Sequence, residues 1–330
     1  MPREDYDEIK KKFYTFISMW NDKNVKEIDT MIDPEIICFM SVEKAYTCGS
    51  KHSKYGICDF INDMAPCDVF HTRICNYVCR VHDEEAHQSA HIAGLAVKID
   101  KADDKVKTFE FTAMLSNHWE KKRGSWIMTE LRMDIINNGG DFVEFADKWY
   151  FEEATPKTFP GLHLPCINGE LDSPWNRIPE AEDVLSDEEK IIETFSQYAF
   201  GIDYLVFDHV MKAATDDVIS IIAPWGAMDL RTWISALKYH RQKDRYWGHP
   251  GKPGKITIHN DEASMEIYRM AGHKQRSHPY IYTQDNINEE HACAFYKLRL
   301  RKSNGNWKIS HCQYYLGIVE LGLNGQCCME

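Results

Sequence analysis

The chain has 330 residues, 43% hydrophobic and 12% aromatic, which is enough for two cores of ordinary size and unlike a disordered or fibrous composition. Its formal net charge of -12 comes without a clustered basic patch, so nucleic acid is excluded as a partner class. No stretch is apolar over the length a bilayer requires and Met1 to Lys12 is charged, so we expect a soluble cytoplasmic protein with no membrane partner.

In chain order, Phe13, Phe16, Ile17 and Trp20 form the stripe of an amphipathic first helix. Ile36 to Met40 is a short apolar and β-branched run that predicts a buried first strand. A second helix is predicted over Tyr55–Met64, then strands over Thr72–His82, Ala86–Ile99, Val106–Trp119 and Trp126–Ile136. Residues 137–185 carry Gly139-Gly140, Pro156, Pro160-Gly161, Pro165, Pro174 and Pro179, the signature of an irregular connector. Phe142, Phe145, Trp149, Tyr150, Phe151 and Trp175 argue against a free linker, and we expect the connector to wrap against one of the domains.

From Lys190 the pattern starts again, 182 residues after Glu8. Phe195, Tyr198, Ala199 and Ile202 repeat the helical stripe, and Val218 to Ile222 repeat the first strand without a gap. A helix is predicted over Asp229–Arg241 and strands over Lys255–Asn260, Ala263–Met270, His291–Leu300 and Trp307–Leu316. His82-x-x-Glu85-Ala86 matches His259-x-x-Glu262-Ala263, and Gly124-x-Trp126 matches Gly305-x-Trp307. The reading is an α+β tandem repeat, helices first and antiparallel strands after: domain 1–136, connector 137–185, domain 186–330.

These patterns resemble the SnoaL-like branch of the nuclear-transport-factor-two-like superfamily, whose members include scytalone dehydratase, bile-acid 7α-dehydratase and ketosteroid isomerase-type enzymes. The resemblance implies two cone-shaped domains, each with N-terminal helices closing a strongly curved antiparallel sheet around an apolar pocket. Dehydratase-like members have a Tyr in the first helix and a catalytic Asp five residues later, which fall on Tyr198 and Asp203; the first copy has Phe16 and Asn21 there. The family's His before a His-x-x-Ile-x-Asn strand falls on His71, with His249 as the nearest counterpart in the second copy. An Arg six residues after the hairpin Trp is Arg132 in the first copy and Gln313 in the second. The family's Tyr-x-Asp becomes Tyr296-x-Leu298 and Leu115-x-Asn117, without its acid in either. The resemblance also implies pairing through the convex sheet face, which a tandem chain could satisfy as an intramolecular pseudo-dimer, with further homo-oligomerisation open.

Removing a proton next to a carbonyl needs a base, and an Asp in an apolar pocket fits that role. Asp203 is therefore the candidate base, with Tyr198, Tyr296 and His249 or His259 as donors to a developing oxyanion. In the first copy His71, Asn117, His118 and Arg132 could bind a polar or anionic group. Each has a plainer alternative: a turn acid for Asp203, a core histidine for His71, a surface ion pair for Arg132 and hairpin residues for His82 and His259. Gly248–Gly254 reads as a pocket lid or an ordinary connection. His87 and His91 share a strand face without a third ligand, and there is no phosphate loop or dinucleotide fingerprint, so no metal or cofactor is expected. The expected function is a cofactor-independent lyase or isomerase, of dehydratase type, for a hydrophobic cyclic carbonyl compound such as a steroid, bile acid or polyphenol. The alternatives are a non-catalytic hydrophobic-ligand binder and a purely structural pair.

Overall fold

The computed structural model describes residues 2–41, 54–62, 64–102, 105–146, 166–243, 248–270 and 280–322. The chain forms two compact units, Met1–Val184 and Leu185–Glu330.

The N-terminal unit begins with α1 (Pro2–Asp22), β1 (Ile32–Met40) and α2 (Lys54–Asn62). Four long strands follow: β2 (Val69–His82), β3 (Glu85–Asp100), β4 (Lys105–Lys122) and β5 (Ser125–Gly140), in the sheet order β1-β5-β4-β3-β2. The predicted stripe of α1 is its buried face, and Trp20 packs on Phe60 and Phe111 with ring centroids 5.4 and 5.7 Å apart. Gly94 lies opposite Phe111 because the ring occupies the space of a side chain; a Cβ there would stand 2.1 Å from it.

The described part of the connector belongs to this unit and includes the short helix α3 (Pro174–Arg177). Arg80 Nε donates to the Ile178 carbonyl at 2.9 Å, and Glu182 N donates to the Val81 carbonyl at 3.0 Å. The aromatic residues Trp149, Tyr150 and Phe151 and the prolines 156, 160 and 165 lie outside the described residues.

In the C-terminal unit come α4 (Asp187–Asp203), α5 (Phe207–Ala213), β6 (Ala214–Ile222), β7 (Gly226–Met228) and α6 (Leu230–Lys243). Then follow β8 (Gly251–His259), β9 (Glu262–Met270), β10 (Glu290–Ser303) and β11 (Asn306–Gly322). The order β7-β6-β11-β10-β9-β8 repeats the first sheet, with β7 added at the edge. Ser186 starts α4 with a capping box to Glu189, satisfying amides that a helix start leaves open.

The fold is α+β, with helices packed on a curved sheet in each unit. The sheets are antiparallel except at one place: β1 runs parallel to β5 and β6 parallel to β11. Consecutive strands joined by tight turns must run antiparallel, whereas the first strand pairs with the last, so no turn fixes its direction. The repeat extends to a tertiary contact. Trp126 Nε1 donates to Asp5 at 2.9 Å beside Lys121, and Trp307 Nε1 donates to Asp187 at 3.0 Å beside Lys302. The Gly-x-Trp hairpin thus pins the first turn of the long helix in both units.

Gly251–Gly254 is neither lid nor loop but the start of β8. Pro253 is tolerated because β8 is an edge strand, where a missing N–H breaks no central ladder.

Candidate functional site

The C-terminal unit brings the acid and imidazole together where α4 ends against the start of β8. Asp203 is the last residue of α4, and Gly201 lets α5 fold back close by: a Cβ there would meet the Val206 carbonyl at 2.9 Å. Arg241 Nη2 donates to the Asp203 carbonyl at 2.8 Å, satisfying a helix-end acceptor. The carboxylate has no exposed surface, and among the described residues His249 engages both of its oxygens. His249 N donates to Oδ2 at 2.8 Å and His249 Nδ1 donates to Oδ1 at 2.5 Å. Burial and then the nearby Arg269 push the imidazole down to about 4 against the pull of Asp203, so the ring is neutral at pH 7. With Nδ1 carrying the hydrogen, Nε2 carries the lone pair.

Tyr198 and Tyr296 lie on the inward faces of α4 and β10, ring centroids 6.3 Å apart, among Phe195, Trp233, Met265 and Ile267. Burial raises both phenols well above their ordinary value, so they are protonated donors. Among the described residues neither hydroxyl has a hydrogen-bond partner, although both side chains are buried. A protonated phenol of this kind can donate a hydrogen bond to a ligand oxygen.

Two contributors escaped the sequence reading. Arg269 on β9 is buried, with Nε and Nη2 on the Gly248 carbonyl at 3.1 and 2.7 Å and Nη1 3.3 Å from the Tyr314 hydroxyl. Tyr314 on β11 packs on Tyr296, centroids 4.9 Å apart. The signal was present: Ala263, Met265 and Ile267 alternate inward along β9, and the same period places Arg269 inside.

Other expected positions are corrected. His259 is exposed and half-buried Gln313 lies on the outer face of the second sheet, in shallow grooves that also contain Thr257 and His311. Cys312 and Tyr314 point inward, so Gln313 between them points out. In the N-terminal unit His118 and Arg132 lie on the outer face, against which the described part of the connector packs. Arg132 Nη1 donates to the Cys166 carbonyl at 2.7 Å and its guanidinium stacks over Phe39. His118 lies beside His87, whose Nε2 donates to the Asp172 carbonyl at 2.8 Å. Burial lowers both imidazoles, His87 the more strongly.

His71 also faces outward, along the Arg73 guanidinium, and the counterpart of His249 is its neighbour Thr72. Sheet register makes the match: Arg269 pairs with Gly251 and Ala294, and Ile92 pairs with Ile74 and Ala113. Thr72 stands two residues before Ile74, as His249 does before Gly251. Its backbone N and its Oγ1 both donate to Asn21 Oδ1 at 2.8 Å, the neutral version of the Asp203–His249 contact. Of the four ligand candidates in this unit only Asn117 points inward. It is fully buried and donates to Gln88 Oε1 at 2.8 Å, leaving Asn117 Oδ1 and Gln88 Nε2 without a partner among the described residues.

Among the described residues no three His, Cys, Asp or Glu side chains gather as a metal site, and no helix is long and apolar enough to cross a membrane.

No family model and no curated protein matches the chain. Solved structures similar to it include a protein from Kribbella flavida, at 12% identity and a TM-score of 0.36, covering 41% of this chain and 93% of that one. A candidate dehydratase of the nuclear-transport-factor-two-like family from Streptomyces avermitilis matches at 10% identity and a TM-score of 0.34, covering 41% and 98%. A hexachlorocyclohexane dehydrochlorinase from Novosphingobium barchaimii matches at 9% identity and a TM-score of 0.33, covering 41% and 88%.

Proposed function

We propose that the C-terminal unit is a cofactor-independent acid–base catalyst. Its particular activity would be that of a lyase of dehydratase type, or an isomerase, acting on a hydrophobic cyclic compound with a carbonyl group, of steroid, bile-acid or polyphenol type. The observation that carries this reading is the buried Asp203–His249 pair, joined at 2.5 Å and set in an apolar interior with two unpartnered phenols.

In this reading His249 Nε2, rather than Asp203 itself, takes the proton, because both carboxylate oxygens are already engaged by His249. The carbon–hydrogen electron pair becomes the carbon–carbon double bond of an enolate. Tyr198 and Tyr296 donate hydrogen bonds to its oxygen as charge develops. Asp203 stabilises the imidazolium and holds its orientation. In elimination the imidazolium returns its proton to the departing hydroxyl, which leaves as water; in isomerisation the same proton returns to a different carbon. The N-terminal unit, with Asn21 and Thr72 at the same place, is read as non-catalytic.

The reading is tested by incubating the full chain with a panel of cyclic ketones and β-hydroxyketones in D2O and following proton exchange and water loss by NMR. Wild type is expected to exchange or eliminate on at least one member, with Asp203→Asn and His249→Ala slower on it by about 10²–10⁴-fold. Wild-type rates in both variants would overturn it.

A further inference from the structure

We propose that Arg269 is the positioning residue of this site and that its charge adapts the site to substrates whose proton loss leaves negative charge on a conjugated oxygen, an enolate or a phenolate. The inference rests on the reading of Asp203 and His249 as an acid–base pair.

The geometry centres on one peptide group. Arg269 Nε and Nη2 hold the Gly248 carbonyl at 3.1 and 2.7 Å, and Asp203 Oδ2 accepts from His249 N, the N–H of that same peptide, at 2.8 Å. The peptide is gripped by a cation at its oxygen and an anion at its nitrogen, each at the end of the group dipole that it favours. The remaining carboxylate oxygen takes His249 Nδ1 at 2.5 Å, so backbone and ring are fixed together. A planar fork can bridge one acceptor with two N–H groups; a lysine ammonium cannot reproduce that grip.

The third nitrogen extends the same guanidinium to the opposite side of the site. Nη1 lies 3.3 Å from the Tyr314 hydroxyl, and Tyr314 packs against Tyr296. One buried cation therefore connects the peptide that carries His249 to Tyr314 and, through it, to Tyr296. Its charge opposes the effect of burial on the Tyr198 and Tyr296 phenols, favouring donation to an oxyanion, and adds to burial in keeping His249 neutral. In the N-terminal unit Ile92 occupies this place, where Asn21 and Thr72 present no ionisable group.

The test compares wild type, Arg269→Gln, Arg269→Lys and Asp203→Asn in the full chain, with two readouts that need no natural substrate. Substituted naphthols of graded acidity report by absorbance whether they bind as naphtholates, and 15N-labelled histidine reports the titration of His249 by NMR. Wild type is expected to bind the more acidic naphthols as anions. Arg269→Gln should lose that preference by about tenfold or more, the scale of one charge-assisted hydrogen bond, and its His249 should titrate closer to the ordinary imidazole value. Arg269→Lys should keep the anion preference but lose the His249 to Asp203 proton resonance. Wild-type naphtholate preference and His249 titration in folded Arg269→Gln would overturn the inference, as would a wild type that binds no naphthol. Should Arg269→Gln not fold, an unchanged proton resonance in Arg269→Lys would overturn it. Full exchange activity in Asp203→Asn breaks the acid–base reading instead, and leaves the naphtholate comparison standing as a property of Arg269.

Discussion

The two units place different chemistry at one structural position. Where the long helix ends and the first strand of the antiparallel set begins, the C-terminal unit has Asp203, His249 and Arg269, and the N-terminal unit has Asn21, Thr72 and Ile92. Both sets tie the helix end to the backbone of the strand, through His249 N in one and Thr72 N in the other. The scaffold therefore needs a hydrogen-bond acceptor at the helix end, and a neutral amide supplies it. A buried carboxylate, imidazole and guanidinium cost desolvation that the fold does not require. Their presence in one unit only is what supports the proposed acid–base role.

The comparison is broken most severely by losing the acid. Asp203→Asn is expected to lower proton exchange on a responsive ketone by about 10²–10⁴-fold, the range of general acid–base catalysis. Asn21→Ala is expected to leave that rate unchanged and to lower only thermal stability, because Thr72 N loses its acceptor.

A pH dependence should follow from His249. Its folded value, about 4, lies below the ordinary 6.5, so the unfolded chain takes up the proton first as pH falls. The associated stability is complete above about 6.5 and lost on the way to 4, by at most about 3 kcal/mol. Urea midpoints between pH 7 and pH 4.5 should show a shallower decline in His249→Phe than in wild type. An identical decline in both would show that other histidines carry the effect, with His87, His118, His209 and His311 as the other lowered imidazoles.

Packing gives the next effect. Gly94→Ala places a methyl where the Phe111 ring lies, and calorimetry should show a loss of about 1–3 kcal/mol confined to the N-terminal unit. Its counterpart by sheet register in the C-terminal unit lies outside the described residues. The smallest effect is expected for Ser186→Ala, which removes one side of the capping box at the start of α4 and should cost about 1 kcal/mol in urea unfolding.

Much of the fold was legible because its signals are local. The helical stripes at Phe13–Trp20 and Phe195–Ile202, the alternating strands and the Gly-x-Trp hairpins each require only a short window of sequence. The parallel pairing of β1 with β5 was not legible, since strand direction there depends on residues far apart in the chain. In the site, Asp203, His249, Tyr198 and Tyr296 were named from sequence and lie together in one unit. His71, His118, Arg132, His259 and Gln313 were not separable from inward residues, because one step of register reverses the face of a strand. Thr72 in place of His71 shows the size of that step.

The sequence by itself determined that a helix-then-sheet pattern occurs twice and that the second occurrence has the acid where the first has an amide. Periodicity and turn chemistry are properties of neighbouring residues, so they survive without a fold. Only the tertiary structure decided which side of each sheet is the inside, that the described part of the connector packs on the outer face of the first sheet, and that one guanidinium reaches both the peptide before His249 and Tyr314. Those outcomes depend on strand register and burial, which bring together groups such as Asp203, His249, Arg269 and Tyr314 from distant parts of the chain.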